Sequence, residues 1–295
     1  MSEYYLSCCS PADLTVEHMH RRNLKYICFH FELDEVSYLD DLGQTITPAE
    51  LYRKMSAGST TKTSQVNVAE YQEYFESMLK EGKDILHVTL SSGISGTYNS
   101  ACVARDALKE QYPDRTIYVL DSLAASSGYG LLMDYMADRR DEGMDIHALY
   151  AWAEEFRHRV NHWFFSTDLT FYIRGGRVSK TKGTIGNFLN ICPLLNVNIE
   201  GKLIQRENIR GKKKVCHRIV EKMAECAENG TDYDGKVYLS MSACPELAND
   251  VIAQIESTFP KVSGKVELYD IGTTIGSHTG PGTVALFFIG KTKEK

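Results

Sequence analysis

The apolar segments of this chain are strand-sized, and from one end to the other they alternate with helical patterns. Tyr4–Cys8, Tyr26–Leu33, Asp84–Leu90 and Thr116–Leu120 read as strands. Helices with legible starts lie between them. Thr47-Pro48-Ala49-Glu50 is a capping box with proline at the first helical position, opening Pro48–Met55. Asn67-Val68-Ala69-Glu70 repeats that logic for a helix reaching Leu79. Ser95–Gln111 reads as a loop feeding a helix and Leu123–Asp141 as a long helix; Ile146, Leu149, Trp152, Phe156 and Val160 recur at helical spacing over Asp145–Val160. This alternation predicts an α/β domain with a largely parallel sheet over residues 1–160.

Beyond residue 160 the rhythm changes. A strand at His162–Thr167 runs into the turn Arg174-Gly175-Gly176-Arg177, and strands Leu194–Ile199 and Leu203–Ile209 flank the hairpin turn Glu200-Gly201-Lys202. Helix Lys213–Asn229, strand Lys236–Ser240, helix Glu246–Phe259 and strands near Lys265–Asp270 and Thr283–Gly290 complete a second, α+β domain, 161–295.

Several function classes recede on composition. Lys plus Arg number 33 against 39 Asp plus Glu, a net charge of −6, which argues against a nucleic-acid groove. No apolar run approaches the roughly 20 residues of a spanning helix, and the N-terminus lacks the basic start and apolar stretch of a signal peptide, so a cytoplasmic protein without stable membrane insertion is expected. Eight cysteines include no C-x-x-C and nine histidines are dispersed, so neither a metal site nor a disulfide framework is expected.

Polar chemistry concentrates in four places. Ser59–Gln65 is rich in hydroxyls, a composition that also suits a solvated linker between helices. Ser91-Ser92-Gly93-Ile94-Ser95-Gly96-Thr97-Tyr98-Asn99 follows a buried strand directly. It brings backbone N–H groups, a helix start and serine hydroxyls to one point, which makes either an anion cradle or a well-capped helix. Ile271–Gly282 holds four glycines with His278 in their midst, a histidine either structural or functional. The cations of Arg174-Gly175-Gly176-Arg177 either neutralise a ligand anion or face water. Two motif searches fail: Gly290-Lys291-Thr292 has Ala285 where a Walker A loop needs its first glycine, and Gly93-Ile94-Ser95-Gly96-Thr97 ends a G-x-S-x-G elbow in threonine.

Taken in order, Thr63-Ser64-Gln65, the Ser91–Tyr98 loop, Asp121-Ser122, Arg174-Gly175-Gly176-Arg177-Val178-Ser179 and Gly276-Ser277-His278-Thr279-Gly280-Pro281-Gly282 resemble the DegV family nearly end to end. Ala12-Asp13-Leu14 and Pro193–Lys214, with Arg210-Gly211-Lys212, fit the same pattern. One departure is visible: Cys9-Ser10 stands where the family usually carries Asp-Ser.

The resemblance implies a two-domain protein holding one long-chain fatty acid, such as a C16–C18 acid, between its domains, with no other cofactor. It implies a non-catalytic binding subunit whose separate ATP-binding fatty acid kinase subunit phosphorylates the bound carboxylate, giving an acyl phosphate for phospholipid synthesis. Carried over residue by residue, it makes Thr63 and Ser95 carboxylate ligands with Ser64 and Ser92 adjacent, and sets Arg174 and His278 near the head group. Competing expectations are a carrier or sensor of another lipid without a kinase, and a serine esterase with Ser95 as nucleophile, His278 as base and Asp121 orienting it. The esterase needs those three side chains in a hydrogen-bonded row.

Overall fold

A computed structural model describes residues 4–177 and 190–295. In chain order the first half contains β1 (Tyr4–Cys9), α1 (Val16–Arg21), β2 (Lys25–Ile27), β3 (His30–Leu33), β4 (Val36–Leu39), α2 (Pro48–Ser56), β5 (Thr61–Ser64), α3 (Val68–Lys80), β6 (Asp84–Thr89), α4 (Thr97–Gln111), β7 (Ile117–Asp121), α5 (Ser126–Asp141) and α6 (Ile146–Phe156). The second contains β8 (Val160–Ser166), α7 (Thr170–Arg174), β9 (Ile191–Val197), β10 (Leu203–Arg210), α8 (Lys212–Cys226), β11 (Val237–Met241), α9 (Pro245–Thr258), β12 (Val266–Asp270), α10 (Thr273–Thr279) and β13 (Thr283–Ile289).

Strands β2-β1-β6-β7 form an all-parallel sheet, as the strand–helix alternation predicts. Its central strands are buried on both faces, which is why Ile85–Leu90 is mostly apolar with no inside–outside alternation, even His87 and Thr89 being fully buried. The second sheet, β10-β9-β8-β13-β11-β12, is antiparallel except for the β11–β12 pair. On the far side from the loops described below, Asp134 of α5 pairs with His18 at 3.2 Å and with Lys236 beside β11, tying the two halves together through a buried carboxylate.

Four differences from the sequence reading have local causes. The segment Tyr26–Leu33 is two strands in two sheets, since β3 leaves β2 and pairs with β4 and β5 instead. Ser59–Gln65 is not a linker throughout: Thr61 and Thr63 turn inward while Lys62 and Ser64 turn out, a period of two that makes β5 an edge strand on β3. The glycine-rich stretch after β12 contains the short helix α10, whose Gly280 takes φ +65° and ends it. The pattern over Asp145–Val160 stops as a helix at Phe156, because Val160 pairs with Ile289 as the first residue of β8. At the helix starts, Asn67 and Glu70 form both bonds of a capping box, at 3.0 and 2.8 Å. Thr47 caps α2 through Glu50 N at 3.2 Å, while the Glu50 carboxylate pairs with Lys54.

Candidate functional site

The hairpin between β9 and β10 reaches across to the serine loop that follows β6. Asn198 Oδ1 accepts from the backbone N–H of Glu200 and Lys202, which folds the turn, and Gly201 takes φ +73° at its tip. There Ser91 Oγ donates to the Gly201 carbonyl at 2.8 Å. A Cβ on Gly201 would lie 2.0 Å from Ser91 Oγ, so only glycine allows this approach. Behind the loop, Asp121 at the end of β7 accepts from Ser92 N at 3.0 Å and Leu123 N at 3.1 Å. The buried Lys293 ammonium donates to the Leu123 carbonyl at 2.7 Å, and burial pushes its pKa down to about 7. The loop is therefore fixed from both sides before any ligand arrives.

Next to it lies a cavity of about 560 Å³, in the range of small-molecule sites. One end is polar: Thr63, Ser64, Gln65, Ser95, Gly96, Arg177 and His278 line it. Thr63 Oγ1 is 2.7 Å from His278 Nε2, joining β5 to α10. Ser95 Oγ accepts from Thr97 N at 3.2 Å, the start of α4, and donates to Gln65 Oε1 at 3.4 Å. Burial, with the Arg177 cation adding to it, lowers His278 to about 4, so the ring is neutral at pH 7 and offers one donor and one acceptor. The antiparallel sheet gives the same cavity an apolar wall, with Phe164 of β8, Val197 of β9, Leu203 of β10 and Ala285 and Phe287 of β13.

Of the sequence candidates, Thr63, Ser64, Ser95 and His278 share the polar end. Ser92 is exposed and does not line the cavity; its backbone serves the Asp121 contact instead. Arg174 is also exposed, with its guanidinium 5.8 Å from the centre of the Phe171 ring, while Arg177 lines the cavity. The motif register explains this, since α7 ends at Arg174 and the two following glycines turn the chain before Arg177. Val178 and Ser179 of that motif lie outside the described residues. The sequence offers Arg177 only as one of two cations that either neutralise an anion or face water, and it does not single out Gln65, Tyr172 or His162; Gln65 stands in a polar cluster, and for the last two only the three-dimensional wall reveals them. Ser95, His278 and Asp121 form no row: Ser95 bonds to Gln65 and Thr97, His278 to Thr63, and Asp121 to the loop backbone.

Cys9 lies outside the cavity lining and fully buried; burial pushes its thiol up to about 11. Its Sγ is 3.2 Å from Tyr71 OH, which in turn is 2.7 Å from Thr97 Oγ1, so the thiol supports the start of α4 from beneath through a tyrosine. Under α10, Asp40 Oδ1 accepts from Thr273 Oγ1 at 2.9 Å, and Asp13 accepts from Ser126, a residue of the cavity wall. Burial first, then the neighbouring Asp40 carboxylate, raises Asp13 well above the usual carboxylate range. Among the described residues no cluster of His, Cys, Asp or Glu is arranged to hold a metal ion, and no helix is long and apolar enough to cross a membrane.

The chain is 35% identical over 294 residues to a DegV domain-containing protein of Clostridium perfringens, covering 100% of both. Among solved structures it is similar to a stearic acid-binding protein from Eubacterium ventriosum, at 25% identity and a TM-score of 0.84, covering 98% of each chain. A Streptococcus pneumoniae fatty acid kinase (Fak) B3 protein loaded with linoleic acid has the same fold, at 20% identity and a TM-score of 0.82, covering 98% of this chain and 99% of that one. The family described as uncharacterised protein, DegV family, matches residues 10–291, and this chain belongs to it.

Proposed function

We propose that this protein holds one long-chain fatty acid in the 560 Å³ cavity and presents its carboxylate to a separate ATP-dependent kinase subunit for acyl phosphate formation. The observation that carries the reading is the division of the cavity lining: hydroxyls, a helix start, a neutral histidine and an arginine on one part, aromatic and aliphatic side chains of the antiparallel sheet on another. A carboxylate needs donors in a partly dry place, and an acyl tail needs an apolar tunnel. A sixteen-carbon tail at about 0.8 kcal/mol per buried CH₂ gives roughly 12 kcal/mol before the costs of binding, so the tail supplies most of the affinity. The polar end then orients the head group more than it holds the ligand.

In this reading Thr63 and Ser95 donate to the carboxylate, with Ser64 at the rim. Neutral His278 donates from Nε2 to Thr63 Oγ1, which leaves the Thr63 hydrogen for the carboxylate, and Arg177 offsets the charge that develops in phosphoryl transfer. Arg174 and Ser92 stand outside the cavity and act on the head group only through the segments they belong to. The division into domains 1–160 and 161–295 is part of the same proposal, with the ligand between them. Ser64, Gly96 and Arg177 are exposed at the polar end, so a carboxylate seated there lies within reach of a second protein. Nucleotide and metal for the transfer would come from that partner, as the family resemblance implies.

The test is identification of the fatty acid released from purified protein, followed by incubation of the loaded protein with a fatty acid kinase subunit and ATP. Acyl phosphate that forms only when both proteins are present supports the full proposal. A bound fatty acid that no kinase phosphorylates leaves a carrier and removes the kinase partnership.

A further inference from the structure

The segment Lys291–Lys295, which follows β13, is bonded to both halves of the molecule. Lys291 N donates to the Cys226 carbonyl at 2.8 Å and Lys293 N to the His158 carbonyl at 2.9 Å, which lays the segment beside the start of β8. Ile199 N, at the foot of the β9–β10 hairpin, donates to the Glu294 carbonyl at 2.8 Å. The Lys293 side chain, 5% exposed, crosses to the first half, where its ammonium meets the Leu123 carbonyl at 2.7 Å. Lys293 thus joins β8, and through its neighbour the hairpin, to the loop after β7.

What Lys293 holds there is a strained backbone. Leu123 takes φ +50°, a left-handed conformation that a leucine adopts only at a cost. Its N–H is fixed by Asp121 Oδ1, which also accepts from Ser92 N, and its carbonyl by the ammonium. The carbonyl of the next residue, Ala124, accepts from Ser91 N at 3.1 Å, and the Ser91 carbonyl accepts from Ser95 N at 3.1 Å. A continuous path of covalent and hydrogen bonds therefore runs from Lys293 to the Ser95 backbone. Around the ammonium stand the Asp121 carboxylate of β7, Arg157 with its partner Glu154 of α6, and His158 and His162. Burial holds both histidines below their ordinary value. The group here that changes charge near neutral pH is Lys293, which burial lowers to about 7 against the pull of Asp121.

We propose that Lys293 is a positioning residue for presentation of the carboxylate: by fixing the Leu123 carbonyl it sets the backbone from which Ser95 reaches the head group, while itself standing outside the cavity lining. This rests on the kinase-linked reading above and deepens it. An ammonium donates a stronger hydrogen bond than a neutral amine, so the loop is held most firmly while Lys293 is charged. Because the tail supplies most of the affinity, a loosened loop costs little in binding. It costs more in phosphoryl transfer, which needs the carboxylate oxygen aligned with the incoming phosphate.

The experiment compares wild type with Lys293→Met, which keeps an unbranched apolar stem and removes the donor, between pH 6 and pH 9. Stearate affinity is read by titration, acyl phosphate formation on fully loaded protein with a fatty acid kinase subunit and ATP, loop order by amide hydrogen exchange, and folding by thermal melting. Affinity should change by about twofold or less. The ratio of wild-type to variant transfer rate, in which the kinase's own pH dependence cancels, should be about tenfold at pH 6 and fall through pH 7 to about threefold at pH 9. Amides of residues 91–96 should lose about tenfold in protection in the variant at pH 6, with those of α3 unchanged. A ratio that is the same at every pH, as a purely packing role gives, overturns the proposal, and so does unchanged protection over 91–96. Should Lys293→Met not fold, wild type decides by itself: protection over 91–96 relative to α3 has to fall as the pH rises through 7, and a constant value overturns the proposal. Loaded wild type that no kinase phosphorylates removes the kinase reading and this proposal with it, whereas transfer with a pH-independent ratio removes this proposal alone.

Discussion

The two sheets contribute to the cavity in opposite ways. The central strands of the parallel sheet β2-β1-β6-β7 are buried on both faces, so the surface it offers a ligand is the set of loops at the C-terminal ends of its strands. Those loops carry Ser91–Gly96 after β6 and Ser122 after β7, which ends at Asp121. The antiparallel sheet instead gives up one face, and Phe164, Ala285 and Phe287 on neighbouring strands make a continuous apolar wall. A parallel sheet lends itself to gripping a charged group at an edge, an antiparallel one to covering a hydrocarbon with a face. This chain uses one of each around a single cavity.

That contrast is broken most severely from the apolar side. Ala285→Phe puts a ring into the wall and should displace about three methylenes of the tail, costing about 2.4 kcal/mol, on the order of fiftyfold in fatty-acid affinity by titration. If affinity is unchanged while the protein stays folded, the tail does not run along β13. The polar end should respond differently. Ser95→Ala or Thr63→Val should weaken fatty-acid binding by about tenfold, the lower end of what one hydrogen bond to a charged group is worth, yet reduce acyl phosphate formation with a kinase further than binding. Equal losses in both assays would mean that these hydroxyls hold the ligand rather than orient it.

Smaller again is the pair of arginines. Arg177→Gln should lower affinity a few-fold, and less at high salt, while Arg174→Gln should change it less, because only the former lines the cavity. The reverse ranking would restore the arginine that the motif alone suggests. The smallest effect on binding is expected at Asp13, where the readout is stability against pH. Its carboxyl is raised above the ordinary 3.8 by burial and by Asp40, so the stability it contributes is complete below 3.8 and is lost as pH rises through its folded-state value. Asp13→Asn should therefore gain in melting temperature relative to wild type as the pH is raised from 4. A constant difference across that range would show the carboxyl ionised in the fold.

The parallel half was legible in sequence because its signals are local. Strands such as Asp84–Thr89 concentrate Ile, Leu and Val in a short segment, and Asn67 with Glu70 marks a helix start unaided. The strand β5 was not, since Thr61-Lys62-Thr63-Ser64 has no apolar residue and becomes a strand only by pairing with β3. α10 was hidden by its glycines, which weaken helix propensity but leave a seven-residue helix that tertiary packing holds. The same division runs through the site. Thr63, Ser64, Ser95 and His278 stand in clusters that hydroxyls and glycines advertise. Arg177 is separated from Arg174 only by how α7 ends, and His162 looks like one more core residue until the sheet sets it in the cavity wall.

The most direct test of the account is native mass spectrometry of the purified protein, before and after addition of stearate, with solvent extraction of whatever is bound. One fatty acid per chain, released on extraction and lost or displaced in Ala285→Phe, is the predicted result. A protein that is empty when purified and takes up no fatty acid when offered one would contradict the central claim, whatever the fold.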